Sequence, residues 1–184
     1  MLELNFSPFP VLSTQRLLLR AMAPSDAKAL FVLRSDPRVM QHIGRPIAKT
    51  LDDVEALMHT MQDSFLKRTA IVWALTRLGD PELVGTMGFW RIDAEHHHGE
   101  LGYILRPDLW GQGITREAGR AVVAHGFQSL HLHRIEACVA PGNKASCAVL
   151  ESLGFAREAH FVQNFLFEGV FLDTLMYGLV NPSH

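Results

Sequence analysis

Gly99-Glu100-Leu101-Gly102-Tyr103-Ile104-Leu105-Arg106-Pro107 leads, after Asp108-Leu109, into Trp110-Gly111-Gln112-Gly113-Ile114-Thr115-Arg116-Glu117-Ala118. The first run is short, mostly apolar and halted by a proline, which cannot donate to a sheet ladder, so a strand is expected over Gly99 to Arg106. The block Thr115 to Leu130 reads as a helix, and Arg134 to Ala140 as the next strand. Strand, glycine-rich turn, helix and strand make a crossover unit, right-handed if it joins neighbouring parallel strands. Its turn carries the chemistry. Glycines at 111 and 113 let the backbone turn tightly and approach a ligand closely. The free N–H groups at a helix start carry partial positive charge and suit a diphosphate. A tight turn with no ligand is the plain alternative for a Gly-x-Gly pair taken alone. No Gly-Lys-Ser/Thr follows, so an NTP-binding P-loop is excluded, and the third glycine of a dinucleotide fingerprint is missing.

Outward from this unit, Thr14 to Arg20 holds an apolar stretch of strand length, and Ser25-Asp26 reads as the N-cap of a helix through Ala29, Leu30 and Leu33. A second helix starts near Thr50, with Val54, Leu57, Met58, Met61 and Phe65 at helical spacing. Ile71 to Arg77 and Leu83 to Ile92 read as strands joined by Gly79-Asp80-Pro81. Asn143 to Ser152 forms a helix closed by Gly154. Phe155 to Phe167 and Phe171 to Leu179 are the last strands, turning at Glu168-Gly169. This order predicts an α/β fold of mixed character: a central, mostly antiparallel sheet of about seven strands with helices on both faces. With no repeat, low-complexity tract or linker, residues 1–184 are expected to form a single domain.

Composition narrows the function classes. The chain has 184 residues, 48% of them hydrophobic and 20% charged, as in a soluble globular protein. A formal net charge of −2 gives no electrostatic reason to expect nucleic acid or an anionic membrane as partner. No apolar run is long enough to span a bilayer, and Met1-Leu2-Glu3-Leu4-Asn5 lacks the features of a signal peptide. Two cysteines, Cys138 and Cys147, make no disulfide framework, which favours a reducing compartment and a cytoplasmic location. Monomer and homodimer both remain open.

Five segments in order resemble the GNAT superfamily of N-acetyltransferases, in its branch of ribosomal-protein N-terminal acetyltransferases (RimJ/RimL-like). Thr14 to Arg20 is similar to the branch's first strand, Val84-Gly85-Thr86-Met87-Gly88-Phe89 to its third, and Gly99-Glu100-Leu101-Gly102-Tyr103 to its fourth. Trp110 to Ala118 resembles the loop that takes the pyrophosphate of acetyl-CoA. His133-Arg134-Ile135-Glu136-Ala137-Cys138-Val139, then Asn143-Lys144-Ala145-Ser146 and Leu153-Gly154-Phe155, match the closing half. The chain departs from the wider family at three points. Trp110 stands where Arg or Gln is common, Thr115 where Ala or Gly is common, and Leu150 where many members place a general-acid tyrosine.

The resemblance implies acetyl-CoA as co-substrate, no metal, and an amine acceptor, either a peptide N-terminus or a small molecule. It implies that Gly111, Gln112, Gly113, Ile114, Thr115 and Arg116 bind the coenzyme. It further implies that backbone groups of Tyr103, Ile104 and Leu105 bind pantetheine and polarise the thioester, the backbone alone being functional there. Asn143 would bond pantetheine, though it is also a good N-cap, and Ser146 would donate to the departing thiolate. A lysine amine with pKa about 10.4 costs about 4.6 kcal/mol to deprotonate at neutral pH, an α-amine near 7.8 only about 1 kcal/mol. A modest base therefore suffices for an α-amine. Glu100 is the leading candidate, accepting the proton or orienting a water, against the alternative of an ordinary solvated hairpin residue. Cys147 has no base partner by spacing, so direct transfer is expected over an acyl-cysteine. His96-His97-His98 reads as a polar hairpin loop. Trp73, Trp90, Phe161, Phe165 and Phe167 are core residues or the border of an acceptor cleft. A non-catalytic acyl-CoA-binding module is the competing function.

Overall fold

The computed structural model describes residues 2–182; Met1, Ser183 and His184 lie outside it. Leu12–Ser13 (β1) and Leu17–Arg20 (β2) are followed by helices Ala27–Ser35 (α1), Pro37–Met40 (α2) and Leu51–Leu66 (α3). Strands Ile71–Arg77 (β3), Leu83–Asp93 (β4) and His98–Leu105 (β5) precede helix Ile114–Gln128 (α4). Strand Arg134–Val139 (β6), helix Lys144–Ser152 (α5) and the hairpin Ala156–Phe167 (β7) and Val170–Val180 (β8) complete the chain. The described strands form one sheet in the order β1-β2-β3-β4-β5-β6-β8-β7, antiparallel throughout except for β5 beside β6.

The sheet has eight strands where the sequence reads as about seven, because the short Leu12–Ser13 pairs ahead of the expected first strand, of which Leu17–Arg20 is strand. Thr14 closes a turn on Leu17, its N–H donating to the Leu17 carbonyl at 2.9 Å and its hydroxyl accepting from the Leu17 N–H at 3.0 Å. That turn folds β1 back onto β2, with Leu12 opposite Leu19. Asp26 also departs from its expected role. A 3₁₀ turn over Pro24–Asp26 precedes α1, and the Asp26 side chain caps nothing in that helix. It turns inward instead, accepting from both terminal nitrogens of Arg20 at 2.7 and 2.8 Å and from the Ala23 N–H at 2.7 Å. At α3 the signal holds: Thr50 and Asp53 form a capping box, each side chain accepting from the other's N–H.

Strand alternation distributes the core over both faces of the sheet. Ile71, Trp73 and Leu75 of β3 face a large core with Ile114, Ala118 and Val122 of α4 and Leu150 of α5. Ala74, between them, joins Leu83 and, from α1 and α2, Leu33 and Val39 in a smaller core on the other face. In β5, Leu101, Tyr103 and Leu105 belong to the first face and Ile104 to the second. Trp73 is fully buried, so it is a core residue and not part of any cleft.

His125 of α4 meets Trp73 edge-on, ring centroids 5.5 Å apart, and its buried Nε2 has no hydrogen-bond partner among the described residues. Burial holds its pKa below the ordinary 6.5. The unfolded chain therefore takes up this proton first as pH falls. The stabilising contribution is complete above about pH 6.5 and fades as pH drops through the lower, folded-state value. The melting temperature of His125→Phe is expected to fall less than that of the parent between about pH 7.5 and pH 5.5, measured by calorimetry. Equal falls would remove His125 from the acid sensitivity.

Candidate active site

β5 and β6 are parallel neighbours but pair over only three residues, His98 with Arg134, Gly99 with Ile135 and Glu100 with Glu136. Beyond Glu100, β5 stays on β4 and β6 stays on β8, so the two strands part into a wedge. Two hydrogen bonds fix which backbone groups face it. The His97 carbonyl accepts from His133 of the β6 side at 2.7 Å, and the Arg106 N–H donates to Val84 of β4 at 2.9 Å. Alternation then turns the N–H and C=O of Tyr103 and Leu105 into the wedge and those of Ile104 toward its partner Thr86. Of the three backbone positions expected, two open on the gap. Ile104 does not; its side chain packs in the smaller core.

The glycine turn sits at the mouth of this wedge. Gly111 has φ +73° and Gly113 φ +74°, conformations that favour glycine, and Gly113 is the N-cap of α4. Among the described residues, the amides of Gln112, Gly113, Ile114, Thr115 and Arg116 donate to no protein acceptor. The first intrahelical link is Glu117 N–H to the Gly113 carbonyl. Arg116 is exposed on the first turn, and Thr115 is half-buried beside it.

Side chains from distant parts of the sequence brace the turn. Glu117 accepts from the Thr14 hydroxyl at 2.6 Å, the Arg16 N–H at 2.8 Å and Arg16 Nε at 2.6 Å. Arg16 Nη1 donates onward to the Gln112 carbonyl at 3.0 Å. Desolvation, the largest single influence, raises the Glu117 pKa, yet the Thr14 and Arg16 hydrogen bonds together hold it below its ordinary value. An ionised Glu117 in the first turn would oppose an anion at the helix start, and Arg16 offsets that charge. Trp110 Nε1 donates to the Leu105 carbonyl at 2.8 Å and the Gln112 amide to the Asp108 carbonyl at 2.8 Å. These bonds tie the turn to the strand that feeds it.

On the far side of the wedge, Asn143 caps α5, its Oδ1 accepting from the Ser146 N–H at 3.1 Å. Among the described residues its Nδ2 has no recorded acceptor. Ser146 Oγ lies 2.7 Å from the Tyr103 hydroxyl. The Tyr103 side chain thus crosses the wedge from β5 to α5, beside the backbone groups for which that residue was singled out. Leu150, the position at which the resemblance leads one to look for a tyrosine, is fully buried core.

Glu100 lies on the opposite face of β5 from Tyr103, since successive side chains alternate. Its carboxylate accepts from Arg91 at 2.8 Å, and Arg91 and His98 approach Glu136 at 3.9 and 3.8 Å. The expected residues thus fall in two groups, Tyr103, Asn143 and Ser146 on the α5 face and Glu100 on the other. A surface depression of about 1210 Å³ opens beside the second group, lined by Arg91, His98 and Glu136 together with Lys67, Arg68 and Asp93.

Cys147 is half-buried, and its thiol lies against the Tyr177 hydroxyl, which also donates to Glu151 at 3.0 Å. The hydrogen bond with Cys147, then burial and the hydrogen bond with Glu151, raise the Tyr177 pKa above its ordinary 10. The Cys138 thiol, on β6, is pushed up to about 11 by burial and then by the Glu100 and Glu136 charges. Of the aromatic residues, Phe161 and Phe165 are exposed on the last hairpin, with the rings of Phe165 and Phe167 stacked at 6.5 Å. Phe165 lies against Gly44, so this hairpin and the loop after α2 meet. Trp90 is 37% exposed and lies over Gly102. Among the described residues, no group of three or more His, Cys, Asp or Glu side chains is placed to hold a metal ion. No helix among them is long and apolar enough to cross a membrane.

Comparison with known proteins puts this geometry among acetyltransferases. The family model described as acetyltransferase (GNAT) domain matches residues 16–156. The N-acetyltransferase YoaA of Bacillus subtilis (strain 168) is 33% identical over 95% of this chain and 98% of its own. The spermidine N(1)-acetyltransferase of Vibrio cholerae is 25% identical over 86% of this chain and 89% of its own. The ribosomal protein uS5 alanine N-acetyltransferase of Escherichia coli is 26% identical over 94% and 91%. The crystal structure of a GNAT-family acetyltransferase from Bacillus anthracis superposes with a TM-score of 0.83 at 27% identity, covering 93% of this chain and 98% of that one.

Proposed function

The chain belongs to the acetyltransferase (GNAT) domain family, and on that premise we propose that it moves an acetyl group from acetyl-CoA directly to a primary amine. The acceptor in this reading is a protein N-terminal α-amine or a small-molecule amine. The observation that carries it is the run of unpaired amides from Gln112 to Arg116 at the mouth of the wedge. They present the positive end of α4 to a diphosphate, in a turn that Arg16, Glu117 and Trp110 hold open.

Acetyl-CoA supplies the activated thioester; the residues of the chain bind, polarise and orient it. The Leu105 carbonyl is occupied by Trp110, so the donors left along β5 are the N–H groups of Tyr103 and Leu105. These serve the pantetheine arm and the thioester carbonyl, in the manner of an added strand. Asn143 Nδ2 serves the same arm, and Ser146 donates a hydrogen bond to the departing sulfur. Glu100 stands three residues before Tyr103, about 10 Å along the strand, and on the other face. From there it takes the amine proton through water. The amine thus approaches from one face of the sheet while the thiolate leaves on the other. A water-linked carboxylate is enough for an α-amine, whose deprotonation costs about 1 kcal/mol at neutral pH. The two free thiols fit a cytoplasmic enzyme, acting through one domain over 1–184 as monomer or homodimer.

A thiol-release assay with acetyl-CoA and a panel of amines and short peptides tests the reading. Release of CoA thiol that depends on one acceptor class supports it. Tight acetyl-CoA binding with no release for any acceptor would leave a binding module. In the active enzyme, Glu100→Gln is expected to lower kcat by about ten- to a hundredfold with an unchanged KM for acetyl-CoA. An unchanged kcat would remove Glu100 from the mechanism.

A further inference from the structure

The Tyr103–Ser146 contact has a direction. The phenol oxygen lies 2.7 Å from Ser146 Oγ and 3.4 Å from the Ser146 carbonyl, and no other protein acceptor is recorded for it among the described residues. Burial pushes its pKa up to about 12, the Ser146 hydrogen bond pulling the other way, so it is a neutral O–H donor at working pH. A desolvated O–H left without an acceptor is destabilising. Both acceptors in reach belong to Ser146; either hydroxyl could donate across the 2.7 Å contact, and because it is 0.7 Å shorter than the one to the carbonyl, the phenol is assigned as donor and Ser146 Oγ as acceptor. The serine O–H then points elsewhere. Among the described residues it has no recorded acceptor, and the helix-start carbonyls do not claim it. Donation from the phenol also polarises the serine hydroxyl and makes it a stronger donor.

We propose that Tyr103 is a positioning residue for the reaction assigned above: its hydroxyl fixes the Ser146 rotor so that the serine O–H faces the leaving sulfur in the wedge. This inference rests on the transferase reading and adds to it a side chain on β5 acting through one on α5. The general-acid tyrosine missing at Leu150 is not replaced in kind. Tyr103 transfers no proton; it aims and strengthens a hydrogen bond made by its neighbour.

The test is a double-mutant cycle on the full chain with two readouts. Tyr103→Phe keeps the ring and removes only the hydroxyl. It is expected to lower kcat about tenfold, with KM for acetyl-CoA within about twofold, and to lose this effect in a Ser146→Ala background. Ser146→Thr, which keeps a hydroxyl, restores the dependence on Tyr103. The second readout is the thiol of bound CoA, titrated through its ultraviolet thiolate absorbance. It is expected to ionise at higher pH in Tyr103→Phe than in the parent, and equally in Ser146→Ala with or without the phenol. Equal fold-losses in both backgrounds, or an unchanged bound-thiol titration in Tyr103→Phe, would overturn the proposal and leave the transferase reading standing. Failure of CoA to bind the parent protein would remove both.

Discussion

Replacing Asp26 with alanine is expected to cost about 3–5 kcal/mol of stability, the range for breaking a buried ion pair from one side. The carboxylate is 4% exposed and both its oxygens are engaged by Arg20, with the Ala23 N–H as a third donor. Alanine leaves the guanidinium, itself only 22% exposed, with two backbone carbonyls, those of Ala21 and Pro81, to solvate a full charge. A domain of ordinary stability holds about 5–15 kcal/mol, so the loss is a large part of the whole. For a chain of this length it corresponds to roughly 6–20 °C in melting temperature. The damage reaches the site through packing. Arg20 ends β2, Asp26 sets the entry of α1, and Leu33 of α1 lies in the same small core as Ile104 of β5. Asp26→Asn, which still accepts from Ala23, is expected to lose less, and joint replacement of Arg20 and Asp26 by apolar residues to regain part of the loss. Thermal unfolding of the four proteins measures this; an Asp26→Ala melting point within about 2 °C of the parent would show that the pair contributes little.

Asp26 also marks where sequence reading stops. Ser25-Asp26 ahead of an apolar stretch is a sound local cap signal, but the carboxylate is used by a strand residue six positions earlier, an interaction that local rules do not weigh. The same holds at the site. The cradle was legible because its determinants are local: Pro107 halts the strand, Gly111 and Gly113 permit positive φ, and helical spacing begins at once, within a residue of the expected start at Thr115. The brace on that cradle was not, since Thr14 and Glu117 are 103 residues apart and each has an adequate local explanation, in a strand and in a helical first turn. Tyr103 shows a third kind of miss. The resemblance implies a backbone role alone for Tyr103, while in the fold its side chain packs against the large core and reaches Ser146. A phenol differs from a phenyl ring by one polar atom that must find a partner once buried. Asking where that atom goes would have pointed across the wedge to a hydroxyl on the facing helix. The short β1 ahead of the Thr14 turn, and the four-residue α2 capped by Asp36 with Pro37 in its first turn, were readable only as short-range turn chemistry.

Ser146→Ala is expected to lower kcat by about a hundredfold while leaving acetyl-CoA affinity within a few fold, the size of effect seen when one donor to a developing charge is removed. The asymmetry follows from what alanine keeps. The Asn143 cap uses the Ser146 backbone N–H, which alanine retains, so the start of α5 and the orientation of Asn143 survive. The cradle amides from Gln112 to Arg116 lie on α4 and do not depend on this side chain. Ground-state binding is therefore preserved. In the proposed mechanism, what disappears is a hydroxyl that has little to do before the carbon–sulfur bond lengthens and most to do as negative charge gathers on sulfur, which places its loss in kcat. A second cost falls on stability. The buried Tyr103 hydroxyl is left with only the Ser146 carbonyl at 3.4 Å, so about 1–3 kcal/mol of destabilisation accompanies the kinetic defect. Steady-state kinetics at saturating acceptor, with acetyl-CoA affinity measured by calorimetry on the same preparation, separates these terms. Equal losses in turnover and affinity would show that Ser146 holds the coenzyme and takes no part in releasing it.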